Sequence, residues 1–262
     1  MFQVEICILS RLKIKFITSR GSKRLNETYG GKRSVEIRRL STVSGAEEAR
    51  GLAVIIDVFR AFTTAAHVMA NGAERIIPVG SVEESFKLRR RHPEWIQIGE
   101  RGGIRVEGFD YGNSPHEVSR ADFTGRTVIQ TTGAGTKGVV SAAGADAILL
   151  GSFVMAGAVA RYIYKIRPEV VSLVAMGDVG VEANEEDESC AEYIEGLLRG
   201  ENPDFEEMRG RIRASLSGAK FFDPSRPQFR EEDFLLALEL DRFDFVLRVV
   251  RGDLLTVVKE IP

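Results

Sequence analysis

Cysteine is almost missing: Cys7 and Cys190 are the only two in 262 residues. Two thiols so far apart argue against a disulfide framework and fit a reducing cytoplasm. Histidine is as scarce, and His67, His92 and His116 are too scattered for a zinc site by spacing. No run reaches the roughly 20 apolar residues that a membrane-spanning helix needs. The opening MFQVEICILSRLKIKF is apolar in patches, but Glu5, Arg11, Lys13 and Lys15 interrupt the apolar stretch that a signal peptide requires. Charge of one sign is lacking too: the formal net charge of -2 gives no electrostatic case for nucleic acid or membrane surfaces. The expectation is a cytoplasmic protein without membrane or nucleic-acid partners.

What is present is the make-up of an ordinary globular chain, 44% hydrophobic and 28% charged, long enough to bury a substantial core. Only the start departs from the charge balance. Arg11, Lys13, Lys15, Arg20, Lys23, Arg24, Lys32 and Arg33 crowd into it, so residues 1–33 read as a basic, poorly ordered extension before a domain over 34–262. A weaker reading of that arm is a grip on polyanions.

From about Leu52 short apolar runs alternate with stretches of helical period, the pattern of a layered α/β domain. Leu52–Ile56 has no polar alternation, as expected of a strand covered on both faces. Further strands are expected at Arg75–Val79, Trp95–Ile98, Thr127–Gln130, Ala147–Leu150 and Val170–Ala175, with helices between them. The order favours a three-layer α/β/α fold on a mostly parallel sheet. The apolar runs Phe245–Val250 and Leu254–Val258 suggest an antiparallel hairpin at a sheet edge.

Three polar clusters stand at the ends of those strands. The first, AVIIDVFRAFTT, puts Asp57 where a strand gives way to a loop, the place where open α/β sheets bind ligands. A carboxylate there can hold a hard cation such as magnesium or attack phosphorus, and an N-cap is the competing account. Arg60 adds a guanidinium suited to phosphate or sulfonate. In the second cluster, GERGGIRVEGFDYGNSP, Glu100 and Arg101 leave a strand together, and Asn113 and Ser114 form a turn able to hydrogen-bond a ligand or its own backbone. The third, QTTGAGTKG, offers glycine-exposed amides with the Thr132 and Thr136 hydroxyls around Gly135, and a tight strand-to-helix turn explains it almost as well. Neither the P-loop nor the dinucleotide spacing is met. Glu185, Glu186 and Asp187 open a later helix, where the helix dipole alone would account for them.

Taken together, IIDVFRAFTT, GERGG, GFDYGNSPHE and NEEDESCAEYI resemble, in order, the signatures of the 2-phosphosulfolactate phosphatase (ComB-like) family. The resemblance runs from roughly Val35 to the C-terminus. Ala134 stands where the family usually has an asparagine in its T-T-N-G-T turn, so that amide is missing. The resemblance implies an α/β/α fold and a magnesium-dependent phosphatase that converts 2-phospho-3-sulfolactate to 3-sulfolactate for coenzyme M or related sulfonate metabolism. On that basis Asp57, Arg60 and Glu100 are the expected catalytic residues. Arg101, Asn113, Ser114, Thr132, Gly135 and Thr136 are expected to bind a small anionic phosphorylated substrate, and Asp57, Glu186 and Asp187 to hold Mg2+. A phosphatase of another small phosphorylated hydroxy acid, or a non-catalytic anion-binding module, are the alternatives, and a homo-oligomer stays open.

Overall fold

The computed structural model describes residues 14–17, 35–178 and 184–262. The expected basic extension and the apolar opening stretch therefore lie outside the described residues, except for the strand β1 (Ile14–Ile17). The chain continues through β2 (Val35–Ser41), α1 (Thr42–Glu48), β3 (Leu52–Ile56), α2 (Ala61–Ala70), β4 (Arg75–Pro78) and α3 (Val82–Arg91). Next come β5 (Ile96–Arg101), β6 (Ile104–Arg105), α4 (Pro115–Val118), β7 (Thr127–Thr131), α5 (Gly135–Ser141) and β8 (Ala147–Gly151). After these follow α6 (Ala156–Ile166), β9 (Val170–Ala175), α7 (Glu185–Arg199), α8 (Phe205–Ala214), α9 (Leu216–Ala219), α10 (Glu231–Ala237), β10 (Val246–Val250) and β11 (Thr256–Glu260). None of the described helices is long and apolar enough to cross a membrane.

The strands form one mixed sheet in the order β1-β2-β9-β3-β8-β10-β11-β4-β7-β5-β6. From β1 to β8 every neighbour is parallel, and so are β4 with β7 and β7 with β5. Every residue of β3 and β7 is buried, which requires cover on both faces of the sheet. Ser81 caps α3 by accepting from the Glu84 amide, and three arginines occupy the last turn of that helix, where they complement its dipole.

The C-terminal hairpin is antiparallel as expected, but its place differs. β10 and β11 lie inside the sheet, β10 against β8 and β11 against β4, rather than at an edge. In β10 Val246 on one face and Leu247 and Val249 on the other are buried, which suits a strand paired on both sides, while Arg248 and Val250 are partly covered. One consequence is that the β4-β7-β5 block runs opposite in sense to the β3-β8 block. Strand ends from both blocks still meet, because α5, which follows β7, packs on both β3 and β4.

Candidate active site

Asp57 leaves β3 buried, and its two oxygens do different work. Oδ1 accepts from the Ala61 amide at 3.0 Å, tying down the first turn of α2. Oδ2 has no hydrogen-bond partner among the described residues and faces the turn after β7, where a Cβ on Gly135 would stand 2.6 Å away. Glycine is needed at 135 because any side chain would occupy the space in front of this carboxylate.

Two further acids come from the first turn of α7. Asp187 has both oxygens engaged, Oδ1 by the Val58 amide at 2.7 Å and Oδ2 by the Gly177 amide at 2.9 Å. It thereby clamps the segments that follow β3 and β9. Glu186 accepts a short hydrogen bond from the Ser217 hydroxyl through Oε2. Burial drives all three acids toward the neutral form. Asp57 is raised to about 7, with repulsion from Glu100, Glu186 and Asp178 adding to its desolvation. Glu186 also rises to about 7, chiefly from burial, while Lys220 and the Ser217 bond pull the other way. Asp187 is pushed well up by burial and by Glu186 and Asp57.

Glu100, at the end of β5, accepts from Gly103 N through Oε2 and from Gly133 N through Oε1, each at 2.7 Å. One carboxylate thus staples the β5–β6 hairpin to the turn after β7. Arg101 donates to Glu100 O at 2.6 Å and to the Thr131 hydroxyl at 2.9 Å. In the turn itself Thr132 and Thr136 are bonded to each other: Thr132 N donates to Thr136 Oγ1 at 2.9 Å, and Thr136 N to Thr132 Oγ1 at 3.2 Å.

Arg60 is a few residues from Asp57 in sequence, yet its guanidinium is already occupied. Nη1 donates to Asp233 Oδ2 and to Gln228 O, and Nη2 to Gly103 O. Asp233 also receives the Ser114 hydroxyl at 2.6 Å and the His116 amide at 3.0 Å through Oδ1. Ser114 in turn caps α4. Asn113 is 5% exposed, and its Oδ1 is a buried acceptor without a partner.

Asp57, Glu100, Arg101 and the Thr132–Thr136 turn are therefore brought together, with Glu186 and Asp187 behind Asp57. Arg60 and Ser114 form a separate buried hub on Asp233. Sequence reasoning missed Asp233, Ser217, Lys220, Phe229 and Asp178. The one available signal was LSGAKFF, a small and aromatic segment interrupting two charged helices. Among the described residues no three acids, histidines or cysteines form a ready-made metal cage. The donor set still suits magnesium, which takes one or two carboxylates and completes its shell with water and phosphate. Cys190 is a buried free thiol, in keeping with a packing role.

Buried acids gathered by loops at strand ends are the build of an α/β enzyme. A model of the 2-phosphosulpholactate phosphatase family matches residues 40–251. A probable 2-phosphosulfolactate phosphatase of Bacillus subtilis is 32% identical over 212 residues, covering 79% of this chain and 91% of that protein. Proteins of the same name from Clostridium perfringens and Carboxydothermus hydrogenoformans are 30% identical over 228 residues and 42% over 145 residues, covering 81% and 55% of this chain and 92% and 59% of their own. The chain belongs to the 2-phosphosulfolactate phosphatase family, a family of phosphoric monoester hydrolases.

Proposed function

We infer that the protein hydrolyses 2-phospho-3-sulfolactate to 3-sulfolactate and phosphate and that it does so with Mg2+. The observation that carries this reading is the free oxygen of the buried Asp57 beside Glu186, two carboxyls whose charged forms burial disfavours. Such a pair gains from a hard divalent cation and from little else in the described chain. Asp57 Oδ2 and Glu186 would hold the ion. When bound, it supplies charge neutralisation on the phosphoryl oxygens.

The remaining residues set the stage. Asp187 fixes the backbone on either side of the acid pair through Val58 and Gly177. Glu100 fixes the two glycine turns, so that the chain around Gly133 and Gly135 keeps close to Asp57. Arg101 supplies positive charge at the same edge. Arg60 acts as a positioning residue through Asp233 and Gly103.

Phosphate release from 2-phosphosulfolactate, assayed with magnesium and with chelator, tests the reading. Metal-dependent release, faster than from phosphoesters of hydroxy acids lacking sulfonate, is expected. Equal rates with chelator, or no release from this substrate while another phosphoester is hydrolysed, would overturn the metal or the substrate assignment respectively.

A further inference from the structure

The substrate just inferred carries two acid groups besides the phosphate, and the cations of the site are unequally free to meet them. Arg60 spends both terminal nitrogens on Asp233, Gln228 and Gly103. Arg101 spends its own on Glu100 O and Thr131. Lys220 is different. Its side chain is 9% exposed, it donates no hydrogen bond among the described residues, and its nearest carboxylate, Asp178 Oδ2, is 3.8 Å away on a side chain that is 62% exposed. The ammonium instead lies 4.8 Å from the Phe229 ring centre and 5.9 Å from that of Phe221.

A largely desolvated ammonium without a hydrogen-bonded anion is costly to keep. Its position is nevertheless fixed. Ser217, three residues earlier, is bonded to Glu186, and the Phe229 ring packs on Gly103, where a Cβ would stand 2.4 Å from it. Lys220 is also close enough to Glu186 to favour its ionised form. The ammonium therefore sits between the acid pair and the Gly102–Gly103 hairpin, bounded by aromatic faces.

We propose that Lys220 is the receptor for the sulfonate of the substrate, a specificity-determining residue of the site. A sulfonate is a singly charged, weakly basic anion attached to a methylene, which suits a point charge flanked by aromatic rings. The more highly charged phosphate is better served by a divalent ion. This inference rests on the phosphatase reading, and its test separates the two.

The affinity for 3-sulfolactate is measured by titration calorimetry with magnesium for wild type, Lys220→Met, Lys220→Gln and Lys220→Arg. KM and kcat are measured for 2-phosphosulfolactate and for 2-phospholactate, which lacks the sulfonate. Losing a charge-assisted bond predicts about 30-fold weaker sulfolactate binding in the two neutral variants and a similar rise in KM for 2-phosphosulfolactate. At saturating magnesium both neutral variants should lose at least about 10-fold more kcat/KM on 2-phosphosulfolactate than on 2-phospholactate, a ratio that cancels any effect through Glu186, and the arginine variant should keep most of the affinity. Equal losses on both substrates, or unchanged sulfolactate binding in whichever neutral variant is folded by circular dichroism, would overturn the proposal. Should wild type release no phosphate from either ester, the phosphatase reading fails, and the titration still decides. Sulfolactate binding that is lost in Lys220→Met keeps the assignment, and no binding to wild type ends it.

Discussion

Arg60 and Asp233, 173 positions apart, meet in a buried ion pair at 2.7 Å, with the arginine 4% exposed and the aspartate not exposed at all. The pair joins the loop after β3 to α10, and Ser114 and Gly103 attach two further loops to it. Removing one partner strands the other charge in the interior, so Asp233→Ala should lower the free energy of unfolding by about 3–5 kcal/mol. Replacing both at once, as Arg60→Met with Asp233→Leu, should cost less than the two single changes together. Urea unfolding of wild type, the three single variants Asp233→Ala, Arg60→Met and Asp233→Leu, and the double variant checks this, and a loss below about 1 kcal/mol in Asp233→Ala would contradict it.

Gly135 and Asp57 give a second prediction. A methyl group at 135 would fall on Asp57 Oδ2 and 2.9 Å from Ala61 Cβ. Gly135→Ala should therefore reduce kcat/KM at least about 10-fold and weaken magnesium binding, with an overpacking cost of about 1–3 kcal/mol. At Gly138 the added methyl would meet Met176 and Ile55 instead. Gly138→Ala should destabilise comparably and leave magnesium affinity nearly unchanged. Parallel titrations of magnesium into both variants distinguish the sites.

The raised carboxyls set a pH dependence of definite sign. Asp57 and Glu186 have folded values of about 7, against ordinary values near 4. Without metal, their contribution to stability is fully present below about pH 4 and is lost as the pH rises through 7. Magnesium requires the ionised forms, so its stabilising effect should grow over the same window. The rise in Tm with saturating magnesium should be larger at pH 8 than at pH 5.5 by about 5 °C or more. A metal effect independent of pH would contradict the assignment of these two ligands.

His67 acts in the opposite direction. It is 2% exposed in α2, its Nε2 has no partner, it stands edge-on to Phe243, and burial lowers it to about 4. A depressed folded value means that stability is present above the unfolded value of about 6.5 and is lost as the pH falls toward 4. In the His67→Leu variant this loss should vanish. Relative to wild type, the variant should gain about 2–3 kcal/mol between pH 7.5 and 4.5. Comparing the two proteins cancels the acid-cluster effect, which is common to both.

How much of this was legible in the sequence follows from the range of the contacts. The buried strand before Asp57, the strand delivering Glu100 and the glycine turn after β7 are local features, each marked by an apolar run ending in polar residues. The hub on Asp233 is not local: its carboxylate sits in a Glu-Glu-Asp run that reads as the acidic first turn of α10. The contacts it makes with Arg60 and Ser114 leave no period in the chain. Lys220 is hidden in the same way, in a single 3-10 turn over Lys220–Phe222. β2 was obscured by its own charges, Glu36, Arg38 and Arg39, which break up the apolar run although Val35 and Ile37 alternate inward. The hairpin was expected at an edge. The absence of alternation in β10 was the sign of an interior strand.

The most direct test of the central claim is phosphate release from 2-phosphosulfolactate by wild type and Asp57→Asn at saturating magnesium. The amide keeps the shape of the side chain and an acceptor for the Ala61 amide, but it removes the charge that would hold the ion. Turnover is predicted to fall by at least about 10³-fold while the fold is retained. Near-normal turnover in Asp57→Asn would contradict the account.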